Sequence, residues 1–351
     1  MKRGGSVAPD TSAIRRSVAV SEAKQVSVLR VSGSAAFDAL DRVVPRELFI
    51  RDGQILHSML LRDNATICAD VFVCRQDESF VLLSEGANAD DIGRRLREQV
   101  PAGSDLELRS LDESHGLVAL DGPYAWELLA ETLSSDVVGL PYLGLFDLAP
   151  WLCIRAGKTG EYGYLLLGER GEVPALMARL EEEGRRFDLA LTDLEALDQC
   201  ALENGFFNIR REGALDLTPI ELQLQWRASY QKDYVGVTAL RQRRSEGARL
   251  RVVTVTGVGP LAQGDGVFLG ETRIGSIVNA GASDTRGDWV ALALVDTRWA
   301  HSGLDLGATH GDAHVEVRTV SPPVINNRSL YIHPQRHSYR TREEQAFAAL
   351  A

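Results

Sequence analysis

The sequence pattern changes after residue 246, and this change limits the possible folds more than any other feature. From there on, short apolar runs alternate with turns rich in Gly and Asp, at intervals of about 8–12 residues. The runs predict five strands, at residues 249–255, 266–269, 272–278, 289–295 and 314–318. Strands that recur this closely with no helix between them indicate a small β-barrel or β-sandwich over residues 246–320.

Before this region, pairs of short strands alternate with helices. The turn around Arg62 joins apolar runs at 56–61 and 68–74 into a predicted hairpin, and a Gly-rich turn joins 151–155 to 164–167. Amphipathic helices are predicted at 123–133, 173–183 and 193–203. This alternation predicts an α+β fold with antiparallel sheets over residues 15–245. Residues 1–14 are interpreted as a flexible leader and residues 321–351 as a basic tail, whose composition favours disorder.

Composition excludes several classes of protein. The 351 residues are 44% hydrophobic and 25% charged, as is usual for globular chains. A net charge of −11 gives no general attraction for phosphate backbones, so nucleic acid is not expected as a partner. No apolar run is long enough to cross a membrane. The four cysteines form no CxxC pair, which favours reduced thiols in a cytoplasmic protein and indicates no metal site. Oligomeric state is left open.

A few polar residues stand out in apolar surroundings. Asp70 lies in an otherwise apolar predicted strand, where a carboxylate is either structurally hydrogen-bonded or functional. For His57 a satisfied structural histidine is favoured, and for Glu203 a helix-end or solvated carboxylate is the default. Trp226 is either a stacking wall or a core aromatic. Lys158 lies in a turn, where a solvated lysine is the simplest interpretation.

Several separated stretches, taken together, resemble the glycine cleavage system T-protein family, the aminomethyltransferases and their relatives. Their order and spacing match over about residues 13–320. The matching stretches are 15–31 with Gly33, the strand around Asp70, 155–164, 218–236 and 273–295. The resemblance implies a three-domain ring that binds tetrahydrofolate in a central hole, with an aspartate near the nitrogens that carry the one-carbon unit. Asp70 matches that aspartate.

The resemblance also implies roles for further residues. Asp70, His57 and Lys158 are the predicted catalytic residues. The predicted cofactor-binding residues are Asp70, Tyr142, Glu203 and Trp226. Weaker predictions place Glu161, Tyr162 and Arg227 at the substrate.

The chain departs from the family pattern where the family binds the pterin ring. Leu165 replaces a glutamate that binds the pterin edge, and Leu197 replaces an arginine. His57 and Lys158 both take the place of tyrosines. A leucine cannot accept the pterin N–H bonds, and an unpaired buried donor costs about 1–3 kcal/mol. Tetrahydrofolate is therefore expected as the cofactor, with fewer of the family's contacts.

Three functions remain open from the sequence. The first is a tetrahydrofolate-dependent one-carbon transferase with a small, non-lipoyl substrate, in a biosynthetic or demethylation pathway. The second is a T-protein scaffold reassigned to another reaction, with little or no folate binding. The third is a non-catalytic folate-binding or accessory protein. An anionic substrate is compatible with Lys158, or with Arg336 and Arg340 of the tail.

Overall fold

The computed structural model describes residues 9–345. The first of its three sheets contains five antiparallel strands in the order β3-β4-β5-β2-β6. Two helices, α2 (Ala36–Asp41) and α3 (Ala89–Arg97), cover one face of this sheet. The strands are β2 (Ser27–Ser32), β3 (Ile55–Leu61), β4 (Ile67–Gln76), β5 (Ser79–Glu85) and β6 (Glu107–Ser110).

The second sheet has six strands in the order β11-β1-β7-β10-β9-β8, and only its β11–β1 pair is parallel. Its strands are β1 (Ala19–Glu22), β7 (His115–Asp121), β8 (Gly144–Leu148), β9 (Trp151–Arg155), β10 (Gly163–Glu169) and β11 (Ala190–Leu191). Two helices, α4 (Ala125–Thr132) and α5 (Val173–Gly184), cover one face of this sheet, while α1 (Ser12–Arg16) and α6 (Leu194–Asn204) pack together with Ala19 of β1. Because β1 precedes the whole first sheet in the chain, the two sheets are interleaved.

The two sheets pack against each other through a shared apolar layer. Leu83 and Phe72 of the first sheet meet Ala119 and Leu167 of the second. Successive side chains on a strand point to opposite faces. Val118 and Leu120 therefore face away from the first sheet, toward α4 and α5. Each sheet thus has one face on the shared layer and one under its own helices, which confirms the α+β class.

The C-terminal strands close into a six-stranded barrel in the order β12-β15-β14-β13-β16-β17. The strands are β12 (Leu250–Gly257), β13 (Gly266–Leu269), β14 (Thr272–Ser283), β15 (Asp288–Asp296), β16 (Asp305–His310) and β17 (Ala313–Val320). The sequence left a β-barrel and a β-sandwich open, and the structure shows a closed barrel. Strand β16 was not predicted, because its residues lack an apolar run. The segment before the barrel is a helix, α7 (Val237–Glu246).

The ends of the described chain are packed. Thr11 and Ile14 are buried, so the segment predicted as a leader is ordered at least from Thr11 onward. Val324 and Ile325 pack with residues of α6 and the barrel, and farther along the chain Ile332 and Tyr339 join the core on the helix-covered face of the second sheet. Disorder was the wrong expectation for this part of the tail; residues 1–8 and 346–351 lie outside the described residues. Within 9–345, no helix has the length and apolarity needed to cross a bilayer.

Candidate active site

Asp70 lies at the centre of the candidate site, in the middle of β4. In the β3–β4 register it pairs with Met59, and His57 pairs with Phe72, so His57 and Asp70 are diagonal neighbours on one face. His57 Nε2 lies 2.9 Å from Asp70 Oδ1, and the imidazole stacks on the Phe72 ring at 4.3 Å between centroids. Burial lowers the pKa of His57 although Asp70 opposes this, so a neutral ring donates Nε2–H to the carboxylate.

Two cations from distant parts of the chain complete the surroundings of Asp70. Lys158, in the loop between β9 and β10, places Nζ 3.1 Å from Oδ2. Arg227, in the short 3₁₀ turn Gln225–Arg227, donates to Oδ1 at 2.9 Å and to the Ser58 carbonyl at 2.7 Å. Burial alone would raise the pKa of Asp70, but His57, Lys158 and Arg227 hold it well below its ordinary value. The carboxylate is therefore ionised at neutral pH.

The charges continue beyond Asp70 in an alternating series. Lys158 Nζ also lies 2.9 Å from Oε1 of Glu85, which pairs with Asp70 in the β4–β5 register. Arg210 bridges Glu85 to Asp198 of α6. We call Arg227, Asp70, Lys158, Glu85, Arg210 and Asp198 the charged row. Sequence reasoning missed Glu85, Arg210 and Asp198. Glu85 could have been found from the pairing of β5 with β4, which places it opposite Asp70.

The charged row borders a cavity between the two sheets and α6, with about 760 Å³ of empty space including its opening to solvent. Asp70, Glu85 and Lys158 lie at its polar end. Leu165 of β10 and Leu197 of α6 line its wall, so both departures from the family pattern face the same space as Asp70. Other lining residues include Ala23, Val26, Phe72, Leu83, Ala119, Ala201 and Asn208.

A second carboxylate, Asp121 at the end of β7, also lines this cavity. Its Oδ1 accepts a hydrogen bond from Thr159 Oγ1 at 2.8 Å, and the residue is only 6% exposed. Burial raises the pKa of Asp121 to about 6. Sequence reasoning missed Asp121, since an aspartate before a Gly-Pro turn has an ordinary explanation at the end of a strand.

Tyr142 is half exposed near the same carboxylate. Burial of its hydroxyl raises the pKa of Tyr142, while the charges of Arg227 and Asp70 act on it in opposite directions. The hydroxyl therefore lies within electrostatic reach of Asp70, as its prediction as a cofactor-binding residue requires. Its binding role stays a prediction.

Glu203 and Trp226 do not meet Asp70 in the cavity. Glu203 is fully buried, and its partners are Arg15 at 2.6 Å, Ser283 at 2.7 Å and Gln199 at 3.2 Å. Trp226 is 69% exposed and lines a separate groove beside the barrel. The side chain next to it in sequence, Arg227, is the one that reaches Asp70. Neither position supports the cofactor contact predicted for Glu203 and Trp226.

The weaker substrate candidates have other partners. The Glu161 carboxylate accepts from the backbone N–H groups of Arg328 and Ser329, at 3.1 and 2.8 Å. The Tyr162 hydroxyl donates to the Ile332 carbonyl at 2.8 Å. Both side chains hold the C-terminal segment, and neither lines the cavity around Asp70. Arg227 does lie in the site, because it donates a hydrogen bond to the catalytic candidate Asp70.

The tail arginines lie on the wrong face to meet a ligand in the cavity. Residues 119, 121 and 165 of the second sheet face the cavity, whereas 118, 120, 164 and 166 face the tail. Arg340 lies 3.9 Å from Glu131 of α4, and Arg336 lies in the same segment. The pairing of Arg336 or Arg340 with an anionic substrate is therefore corrected: a sheet separates them from Asp70. No group of three or more His, Cys, Asp or Glu within 9–345 is arranged to hold a metal ion.

Comparisons with known proteins agree with this geometry. A family model described as the GCVT N-terminal domain matches residues 3–232, and one described as the glycine cleavage T-protein C-terminal barrel domain matches residues 249–326. An aminomethyltransferase of Corynebacterium aurimucosum is 28% identical over 310 residues, covering 84% of this chain and 82% of the relative. One of Mycobacterium leprae is 29% identical over 328 residues, covering 90% and 87%.

A solved structure extends the similarity to the fold. The crystal structure of glycine cleavage system aminomethyltransferase T from Bartonella henselae aligns with a TM-score of 0.79 at 24% identity. The alignment covers 91% of this chain and 89% of that one. The two sheets and the terminal barrel therefore form one known architecture.

Proposed function

Because the chain belongs to the glycine cleavage T-protein family, we propose that it is an enzyme that transfers a one-carbon group in the cavity beside Asp70, with tetrahydrofolate as the carrier. Relatives over most of its length are aminomethyltransferases, which supports a transferase. The observation that carries the proposal is the position of Asp70: a buried, ionised carboxylate in the wall of a cavity that opens to solvent.

The cavity has the polarity expected of a ligand pocket. Such pockets have apolar walls and a few placed polar groups. Here Leu165, Leu197 and Ala119 offer apolar surface, and Asp70 and Lys158 form a polar end. Bound tetrahydrofolate supplies the nitrogen atoms that carry the one-carbon group. Asp70 would hold its reactive end.

The chemistry of this chain's own residues centres on a fixed negative charge. A carboxylate has about four acceptor positions. His57, Arg227 and Lys158 use three at Asp70, which leaves one for a ligand donor. These partners also fix the carboxylate in place, so it can stabilise positive charge developing in the cavity without reorganising.

We propose a small substrate that is not carried on a lipoyl group. Lys158 has three N–H donors, and Asp70 and Glu85 accept two of them. The third can pair with a polar or anionic group of a substrate. Since Lys158 stands where the family has a tyrosine, this end of the cavity differs in charge from the family pattern, which supports a different substrate.

A second candidate function has specific support. Leu165 and Leu197 both face the cavity, so the wall lacks the glutamate and the arginine that the family uses there. These positions favour a scaffold reassigned to another ligand, with little folate affinity. Folate binding decides between the two candidates.

Titration calorimetry and thermal shift with tetrahydrofolate and 5,10-methylenetetrahydrofolate test the carrier. We expect heat and a raised melting temperature with each folate, because a ligand that binds only the folded state stabilises it. No heat and no shift at about millimolar folate would leave the reassigned scaffold as the better explanation.

An Asp70→Asn variant tests the carboxylate. Turnover of a one-carbon donor is expected to fall by about 10²–10³, the cost of removing one electrostatic group in comparable sites. Arg227 loses a buried partner in this variant, so circular dichroism must show that the fold is intact. Asp63→Asn, on the exposed β3–β4 turn, is the control and should retain full activity. An active Asp70→Asn enzyme would remove Asp70 from the chemistry.

A further inference from the structure

Asp121 lines the cavity with unused capacity to accept hydrogen bonds. Thr159 donates to Oδ1, while no donor within residues 9–345 contacts Oδ2, which reaches the cavity. Two other buried carboxylates of the region are paired with cations: Asp70 with Lys158 and Arg227, and Glu203 with Arg15. An uncompensated buried carboxylate costs free energy, and one that lines a cavity indicates a ligand-binding role.

The strand register places Asp121 beside the position that Leu165 occupies. Asp121 pairs with Gly163 of β10, and Leu165 pairs with Ala119, so Asp121 and Leu165 share one face of the sheet. They are offset by two residues on neighbouring strands. The carboxylate at Asp121 is therefore a near neighbour of the site where the family resemblance implies a glutamate.

Two glycines pack closely against this carboxylate. A Cβ atom at Gly157 would lie 3.3 Å from Asp121 Oδ1, and one at Gly163 would lie 3.2 Å from it. Both distances are tighter than ordinary contacts, so any larger side chain would press on the carboxylate. The present position of Asp121 therefore depends on glycine at both places.

We propose that Asp121 is a ligand-binding residue that accepts two adjacent N–H groups from a planar, amidine-type edge, such as the 2-aminopyrimidinone edge of a pterin. A carboxylate binds such an edge through two parallel hydrogen bonds. Where the ligand is a folate, this inference rests on the proposed function. Asp121 then supplies the acceptor that Leu165 lacks.

Recognition by Asp121 depends on pH. The charged and titratable groups facing it are Arg15 of α1, Glu161 of the β9–β10 loop and Cys200 of α6. Arg15 is engaged by Glu203, so it compensates Asp121 only from a distance. A protonated Asp121 accepts fewer hydrogen bonds, so affinity falls as the pH drops below about 6.

The test measures binding of pterin and of lumazine, in which a carbonyl replaces the 2-amino group. We expect the full chain to bind pterin more tightly than lumazine, and Asp121→Asn to lose at least about tenfold in pterin affinity and most of this discrimination. The wild-type affinity for pterin should fall between about pH 7.5 and 5.5, while that of Asp121→Asn should not. Asp284→Asn, on an exposed barrel turn, is the control.

Several outcomes overturn the inference. It fails if Asp121→Asn binds pterin as tightly as the wild type, if lumazine binds equally well, or if the wild type binds no pterin at about millimolar concentration. A purely structural Asp121 would lower the melting temperature on substitution and leave the pterin–lumazine ratio unchanged. Pterin discrimination without tetrahydrofolate binding would reject the folate carrier alone, and tetrahydrofolate binding unaffected in Asp121→Asn would reject the role of Asp121 alone.

Discussion

Three cations and three carboxylates alternate along the charged row beside the cavity, so each charge has a neighbour of opposite sign. At Asp70 the neighbouring charges outweigh the cost of burial, whereas burial still raises the pKa of Asp198 and lowers that of Arg210. The ion pairs of the charged row also connect β4, β5 and α6 with the loops that contain Lys158 and Arg210. Asp121 is not part of the charged row. Its ionisation destabilises the fold, whereas the ionisation of Asp70 stabilises it.

The two carboxylates respond to pH in opposite ways. The pKa of Asp121 is about 6 in the folded chain, against about 4 when unfolded, so the fold binds this proton more tightly. Ionisation of Asp121 therefore costs up to ~3 kcal/mol above pH ~6, and this cost disappears as the pH falls toward ~4. The pKa of Asp70 is lowered, so Asp70 stabilises the fold above pH ~4 and loses that effect in acid.

Asp121→Asn should therefore be more stable than the wild type at about pH 7.5, with the difference shrinking toward about pH 4.5. The asparagine carries no charge to desolvate and still has an oxygen for Thr159. Urea unfolding of both proteins at a series of pH values measures this. A variant that is less stable than the wild type at neutral pH would show that the ionised carboxylate stabilises the fold.

At the scale of elements, the local sequence pattern predicted those strands and helices whose partners lie close to them in the sequence. The β3–β4 hairpin pairs in chain order, and both of its apolar runs were predicted. The missed strand β1 pairs with β7, about a hundred residues later, and β11 has only two residues. Such strands depend on partners that no local window contains.

Helix α1 has five residues, yet it places the buried Arg15 among distant parts of the chain. Its guanidinium contacts Glu203 of α6, the Thr159 carbonyl and Asn327 of the tail, at 2.6, 2.6 and 2.9 Å. Arg15→Met leaves the buried Glu203 without its cation, so we expect a loss of about 3–5 kcal/mol in the free energy of unfolding.

Chemical denaturation measures this loss. Arg16→Met, on the exposed side of the same helix, is the matched control and should change stability by no more than about 0.5 kcal/mol. Equal stability of the two variants would show that Arg15 and Glu203 are not an essential pair.

For the whole molecule, the C-terminal segment stabilises the second sheet from the face opposite the cavity. Tyr339 packs edge-on to Tyr124 at 5.1 Å and against Phe187 at 5.4 Å, and its hydroxyl bonds to Asp188. The backbone N–H of Tyr339 donates to Glu127 of α4 at 2.6 Å. The segment therefore acts as a brace, and the sheet lies between it and the ligand cavity.

Tyr339→Ala should lower the free energy of unfolding by about 3–5 kcal/mol, as large aromatic truncations in cores do. Ligand affinity should stay unchanged under conditions where the variant is folded, because the cavity lies across the sheet. Leu330→Ala, an exposed position in the same segment, is the control for stability. A loss of affinity in folded Tyr339→Ala would instead connect the tail to the site.

By itself the sequence determined the α+β class, the strand-rich C-terminal region and the family, because periodicity, turn residues and motif order are local or one-dimensional signals. It also predicted Asp70 as the central carboxylate of the site. Only the tertiary structure showed that Lys158 and Arg227 both meet Asp70, that Glu203 belongs to Arg15, and that Asp121 faces the cavity. The physical reason is that the burial and partners of a charge depend on long-range packing. A carboxylate looks the same in sequence whether a cation, a backbone amide or a ligand satisfies it.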